Sequence, residues 1–490
     1  MKKRTEVVGR QEERCILEKC FQSNSPEFIA IYGRRRVGKT HLVKKFFRKK
    51  SCYFFSVTGI HKGSMKQQLT EFSKEMSNVF FHGARVKGEI SWFDAFGLLT
   101  QSIQGQVPKN KKVVLFFDEF PWMATPRSKL LQALEYYWNQ KWSEDSRIKL
   151  IICGSAASWI IKNIINNKGG LHNRLTRTIL LEPMNLRDSK SLLQSMGVKL
   201  NNQQLAQLYM VTGGVPYYLS QVPVGLSETQ IVEKLAFTKN GLFLTEFEKL
   251  YSSLFDKAEL YIDIVRAIAS QRYGIDQKTL FKKIKSVSGG GTISKKLKEL
   301  EESGFIISFI SFQNRKKGIY YKVIDEFTLF YLYWIEPIKL TLSKKGLRKG
   351  YWDKTRQTSS WSSWSGYAYE ALCYKHLFQI STALELSPTA LPSTWRYSPK
   401  KGAEDSGAQI DLLFDRDDNA ITICEIKFTK TPLVIDKDYA KKIQKKMEVF
   451  QKKTKTEKQL FFAIVSANGL KKTMYSEELI DAVVTLSDLF

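Results

Sequence analysis

The sequence predicts an α/β protein whose N-terminal part is a parallel sheet covered by helices, and three observations carry that expectation. First, five apolar runs at 28–32, 52–57, 113–117, 149–153 and 178–181 alternate with amphipathic stretches, as expected of strands buried on both faces and joined by crossover helices. Second, the run at 28–32 leads directly into Gly33, Arg34, Arg35, Arg36, Val37, Gly38, Lys39 and Thr40, followed by the helical run 41–47. This fits the phosphate-loop pattern G-x-x-x-x-G-K-[ST] in its required strand-loop-helix setting. Third, the run at 113–117 ends in Asp118 and Glu119, an unusual end for a buried strand.

The chemistry of a triphosphate site needs these residue types. Glycines let backbone N–H groups close around phosphates, and the following helix N-terminus adds about half a positive charge. Lys39 would reach the β and γ phosphates, and Thr40 would place its hydroxyl on Mg²⁺. Asp118 would hold the same Mg²⁺ through water, and Glu119 would orient and deprotonate the attacking water. The bland alternative is a solvated Asp-Glu pair at a strand end. Ser155, ending the next run, is expected beside the γ-phosphate. Arg174 is a candidate arginine finger, acting within the chain or on a neighbouring copy; otherwise it is a solvated structural arginine.

Beyond the sheet, residues 186–240 show only helical periodicity, broken at Gly213-Gly214-Val215-Pro216, which suggests a helical lid. From 255 to 323 the pattern is helix, a Gly289-Gly290-Gly291 turn, and a helix with Ile293, Leu297 and Leu300 on one face. Strands at 305–311 and 318–323 follow. This order suggests a winged helix, in which Lys295, Lys296 and Lys298 could meet phosphates, although Glu299, Glu301 and Glu302 on the same helix argue against deep docking and such a module can also bind protein or be purely structural. The aromatic set Phe327, Phe330, Tyr331 and Trp334 follows helical spacing and is expected in a core. A further unit starts at Trp361.

Bulk properties bound the reading. The 490 residues imply about three domains. An excess of 77 Lys and Arg over 48 Asp and Glu, formally +29, favours a polyanionic partner, either nucleic acid or an acidic membrane surface, and charge alone does not choose between them. No apolar run approaches the roughly 18 residues of a membrane span, so a cytoplasmic protein without a membrane role is expected. Six scattered cysteines without a CxxC pair, and five histidines, argue for reduced thiols rather than a zinc site.

The segments Val8-Gly9-Arg10-Gln11-Glu12, GRRRVGKT, DEFPW from Asp118, Gly154-Ser155, GGVPYYL from Gly213 and Tyr321-Lys322-Val323-Ile324-Asp325 together resemble the archaeal-type ATPases of the AAA-related STAND group. The resemblance implies an ASCE/AAA-like P-loop sheet, adenine contacts near Gly9 and Arg10, and a lid in which the Pro216 region senses the nucleotide. It also implies a C-terminal domain similar to PD-(D/E)xK (restriction-endonuclease-like) nucleases. The organisation expected is then a P-loop ATPase core at 1–184, a helical lid at 185–250, a winged helix at 251–325, a linker at 326–360 and the nuclease-like domain at 361–490.

The residues of the last domain support an independent argument. Gln409-Ile410-Asp411 begins one strand, and 420–428 forms another containing Glu425-Ile426-Lys427. Period-two geometry puts Glu425 and Lys427 on one face. A hairpin would bring Asp411 beside Glu425, and two such carboxylates repel unless a divalent cation lies between them. Gly366-Tyr367-Ala368-Tyr369-Glu370 resembles the family's G-x-x-[FY]-E helix, from which Glu370 would complete a Mg²⁺ or Mn²⁺ site. Lys427 would polarise the attacking water or steady the pentavalent phosphate. The alternative is a solvated hairpin that is nuclease-like only in fold. A basic helix at 436–453 carries Lys441, Lys442, Lys445 and Lys446, a face suited to backbone phosphates.

Two functions are therefore expected from the sequence. In the first, ATP turnover controls nucleic-acid binding or phosphodiester cleavage, on DNA more than RNA, in repair, mobile elements or defence. In the second, a STAND-type switch uses ATP to control assembly with itself or a protein partner, and the C-terminal domain binds without catalysis.

Overall fold

A computed structural model describes residues 7–84, 90–284, 290–310, 312, 319–397, 399 and 407–490. The chain forms two compact units, the first ending at Pro183 and the second starting at Met184.

The first unit contains strands β1 (Glu27–Tyr32), β2 (Cys52–Thr58), β3 (Lys112–Asp118), β4 (Ile148–Gly154) and β5 (Arg177–Leu180). They pair in the order β2-β3-β4-β1-β5, every neighbour parallel. A parallel sheet must bury both faces, and period two divides the apolar side chains between them. Phe28, Ala30, Leu115, Phe117 and Ile152 join the core under the helices Met65–Phe80, Trp92–Gln106 and Leu130–Gln140. Ile29, Ile31, Val114, Phe116, Ile151 and Cys153 face Leu17 and Phe21 of Gln11–Gln22 and Leu42, Val43 and Phe47 of Lys39–Phe47. The order places β4 between β1 and β3, so the loop after β1 and the carboxylates after β3 emerge at the same carboxyl edge of the sheet.

The second unit opens with the helices Leu186–Ser195, Asn202–Thr212, Pro216–Ser220, Glu228–Ala236 and Phe243–Leu254. Gly213 ends the second of these in the left-handed region at φ 61°, and Pro216 starts the next, the break anticipated from the glycines and proline. Helices Ala258–Ala269, Gln277–Lys283 and Gly290–Glu302 follow, with β6 (Ile275–Asp276), β7 (Ile306–Ile310) and β8 (Ile319–Val323) in the order β6-β8-β7. Gly289, Ser311 and Gly318, parts of the sequence expectation here, lie outside the described residues.

Residues 326–360, expected to be a linker, instead build core. Phe327, Phe330, Tyr331 and Trp352 are fully buried. Tyr331 stacks on Phe247 with ring centroids 4.2 Å apart, and Trp352 stacks on Phe237. Arg356 donates to Glu228 at 2.5 Å and Gln207 at 2.6 Å on the preceding helices. The expectation failed because helical periodicity gives the buried face of a segment but not its partner.

The remainder is the helix Ser359–Lys375, β9 (Leu391–Tyr397), β10 (Ala408–Asp415), β11 (Ala420–Lys427), β12 (Leu433–Val434), the helix Lys437–Thr454, β13 (Gln459–Ser466), β14 (Leu470–Lys471) and β15 (Ala482–Thr485). The main sheet runs β15-β13-β11-β10-β9, antiparallel between β9, β10 and β11 and parallel from β11 to β15. The basic helix supplies the crossover from β11 to β13 that parallel pairing demands. No helix among the described residues is long and apolar enough to cross a membrane.

Burial pushes the Glu228 carboxyl up to about 7, with Arg356 opposing. Its folded value lies above the unfolded one, so the stability it contributes is complete below about pH 4.5 and is lost as pH rises through 7. Glu228→Gln should flatten this loss, which amounts to at most about 3 kcal/mol. Urea unfolding between pH 5 and 8 measures it.

Candidate functional site

Three strand ends assemble the first site. After β1 the chain turns through Gly33 at φ 142°, where an added Cβ would stand 2.3 Å from the Leu181 carbonyl oxygen. Only glycine lets the loop pass this close to the exit of β5. Arg34 and Val37 are buried, Arg35 and Arg36 are partly exposed, and Arg36 lies at φ 73°. Gly38, at φ 94°, caps the helix that starts with Lys39.

Lys39 is 5% exposed and donates to the carbonyls of Gly33 at 2.7 Å and Arg34 at 2.8 Å. Burial pushes its ammonium down, against the opposing effects of Cys153, Glu119 and Asp118. Thr40 Oγ1 donates to Asp118 Oδ2 at 2.8 Å, so the loop and the acidic strand end are in direct contact. Thr58, from the end of β2, approaches the same oxygen at 3.5 Å.

Glu119 sits in the left-handed region at φ 46°, a costly backbone state for a non-glycine residue and one concentrated at functional sites. Its carboxylate accepts from Ser155 N at 3.0 Å and Ser155 Oγ at 2.8 Å. The structure therefore brings together Lys39, Thr40, Asp118, Glu119 and Ser155. A hydroxyl beside a buried carboxylate, on the residue next to a lysine that follows a glycine loop, suits Mg²⁺ and phosphate.

Other expected residues have different surroundings. Arg10 is buried and donates to the carbonyls of Val37 at 3.3 Å and Glu182 at 2.6 Å, with Glu13 at 3.2 Å. It clamps the phosphate loop to the chain leaving β5, and Gly9 precedes it at φ 67°. Arg174 is exposed, and no hydrogen bond joins it to Glu119 or Ser155. Pro216 belongs to the second unit. The adjoining Gly214 could not carry a Cβ, which would stand 2.0 Å from the Met184 carbonyl oxygen.

Within the second unit, Glu370, Asp411, Glu425 and Lys427 line one cleft of about 370 Å³ with Lys442, Lys445 and Lys446. The register Leu412↔Cys424 sets Asp411 opposite Glu425 at the open end of the hairpin. Gln409 donates to Asp411 Oδ1 at 3.0 Å, and Tyr374 donates to the Asp411 carbonyl. Glu425 is ion-paired to Lys427 at 2.6 Å and to Lys446. Glu370 is ion-paired to the buried Lys322 at 2.8 Å, with Arg272 at 3.8 Å.

The two facing carboxylates behave differently. Burial, Glu370 and Glu425 push Asp411 up to about 6. Glu425 is lowered, because Lys446 and Lys427 outweigh its burial. Among the described residues, no group of three or more His, Cys, Asp and Glu side chains is arranged to hold a metal ion. Sequence reasoning missed Lys322 as the partner of Glu370; its signal was a single lysine inside the apolar strand Ile319–Val323. Lys446, expected on a phosphate-facing surface, is drawn to Glu425 instead.

With the geometry in view, comparison with known proteins defines the class. Residues 7–222 match the model of an ATPase domain predominantly from Archaea. An uncharacterized protein of Methanocaldococcus jannaschii is 25% identical over 429 residues, covering 86% of this chain and 87% of that protein. An uncharacterized ATP-binding protein of the same organism is 51% identical over 43 residues, 9% of this chain and 73% of that protein. Among solved structures, the Walker-type ATPase PABY2304 of Pyrococcus abyssi is similar at 18% identity and a TM-score of 0.47, covering 67% of this chain and 97% of that one. Over residues 7–222 the chain is therefore similar to an archaeal-type ATPase domain. It is an ATPase.

Gly33→Ala should force the loop away from Leu181 and cost about 1–3 kcal/mol of stability. It should also weaken nucleotide binding. Thermal unfolding with and without ATP measures both effects.

Proposed function

We propose that this ATPase couples its nucleotide state to the processing of a nucleic acid held in the cleft of the second unit. The observation that carries the catalytic part is the Thr40–Asp118 bond beside the Glu119–Ser155 pair. Lys39 leaves the Gly33 and Arg34 carbonyls to neutralise the β and γ phosphates, which reverses the cost of its burial. Thr40 and Asp118 would hold Mg²⁺, whose chemistry there would be to neutralise phosphate charge. Glu119 orients the attacking water and takes its proton, while Ser155 fixes the carboxylate and passes from it to the terminal phosphate region. Arg174 acts as a finger on a neighbouring copy, which would make turnover depend on self-association.

In the second unit, the lysines around the cleft engage the phosphodiester backbone. Asp411 and Glu425, with Glu370 behind them, are the residues that would hold Mg²⁺ or Mn²⁺, whose chemistry there is to generate hydroxide and stabilise the transition state. The facing of Asp411 and Glu425 across the hairpin, with Glu370 lining the same cleft, supports this reading. Lys427 steadies the charge that develops on the phosphate. A second reading is favoured by the ion pairs of Glu425 and Glu370. With those charges already neutralised, the cleft binds nucleic acid or protein without cutting, and the chain is a STAND-type switch.

Four measurements test these assignments. Lys39→Ala should lose at least about tenfold in ATP affinity. Glu119→Gln should bind ATP while turnover falls roughly 10²- to 10⁴-fold, and equal hydrolysis by all three proteins would refute the roles. Wild-type protein should nick DNA with Mg²⁺ or Mn²⁺, and Asp411→Ala or Glu425→Ala should abolish nicking; no cleavage in any nucleotide state favours the switch. The logarithm of DNA affinity should fall with that of salt, by about 0.9 per phosphate contacted.

A further inference from the structure

We infer that Tyr273, between Arg272 and Arg396 at the rim of the second unit's cleft, is a stacking platform for an unpaired nucleobase, so that the cleft takes single-stranded nucleic acid. This rests on the nucleic-acid reading of that cleft and names its substrate class. Tyr273 lies on the turn between Ala258–Ala269 and β6 and is 43% exposed. The Arg272 and Arg396 guanidinium carbons stand 5.6 and 5.5 Å from its ring centroid. The turn is tightly held: Gly274 is at φ 87°, and a Cβ there would stand 3.1 Å from Phe309 Cζ and the Tyr321 carbonyl oxygen. The backbone that carries the ring is therefore closely packed.

The position of the ring makes the case. Tyr273, Gln409 and Asp411 line both the acidic cleft and an adjoining aromatic recess that includes Phe309, Tyr320 and Trp395. Phe309 and Tyr320 stack at 5.8 Å and 17° across the β7–β8 pair. The recess offers about 50 Å³, space for a water or two rather than a base. A base therefore does not insert there; it lies on the Tyr273 ring or slides between the ring and a guanidinium. A strand whose phosphates follow the exposed Lys442 and Lys445 presents its bases beside that ring, provided they are unpaired. Stacking of this kind tolerates any base and excludes those locked in a duplex.

The test is fluorescence anisotropy with the full chain in EDTA, using labelled single-stranded DNA, single-stranded RNA and duplex DNA of one sequence. Tyr273→Ala should lower single-strand affinity about tenfold and leave duplex affinity unchanged, while Tyr273→Trp retains binding. Lys445→Glu should weaken every probe. Comparing the DNA and RNA arms shows which strand the platform accepts. If Tyr273→Ala changes single strands no more than duplex while Lys445→Glu weakens both, the platform is wrong and the cleft reading stands. If the wild type binds none of the probes, both are wrong. A Tyr273→Trp loss equal to that of Tyr273→Ala also overturns stacking, and unchanged thermal unfolding of the variants shows that folding is not the cause.

Discussion

The hydrogen bond from Thr40 to Asp118 joins a helix start to a strand end that the chain separates by 78 residues, and the rest of the first unit is arranged to make it. A hydroxyl and a carboxylate meet at the carboxyl edge only if β1 and β3 are parallel and held at the spacing of one intervening strand. β4 provides that spacing and adds Ser155, which grips Glu119. The helices covering both faces fix the sheet, and Arg10 ties the loop back to the exit of β5. The polar groups of the site therefore stand at or just beyond the ends of packed elements, which limits how far they must move.

The second unit handles charge differently. It buries Glu370 and Lys322 as a pair, holds Glu425 between two lysines, and leaves Asp411 with the unfavourable share. Breaking a buried pair by removing one partner is costly, so such groups persist where they serve geometry or chemistry. The helix Ser359–Lys375 carries Glu370 to the cleft, and its last residue, Lys375, pairs with the fully buried Glu326. Glu326 in turn packs against Gly213, where an added Cβ would stand 2.9 Å from its carboxylate. His376 accepts the Leu186 N–H at 3.1 Å, so the same helix end anchors the first helix of the unit. The cleft and the glycine-proline segment thus share one rigid support.

Much of this was legible in the amino-acid order, because it depends on local periodicity. Strand-length apolar runs, the glycines of the phosphate loop, the paired carboxylates after β3 and the alternation of Glu425 and Lys427 are all set by neighbours in sequence. The parallel sheet, the loop and the facing of Asp411 towards Glu425 follow from those signals together with the stereochemistry of strands and crossovers. Charge excess likewise pointed to a polyanion, without saying where on the surface it would lie.

What only the tertiary structure decided is which distant groups neutralise one another. Nothing local to Glu370 names Lys322, nothing local to Glu425 names Lys446, and nothing local to Arg356 names Glu228. The same holds for residues 326–360, whose aromatic rings read as core but whose partners lie on the preceding helices. Sequence by itself determined the elements and the chemical kinds of group at their ends, since backbone sterics and burial period act within a few residues. Pairing energies act through space, and the partners come within reach only after the chain has closed on itself.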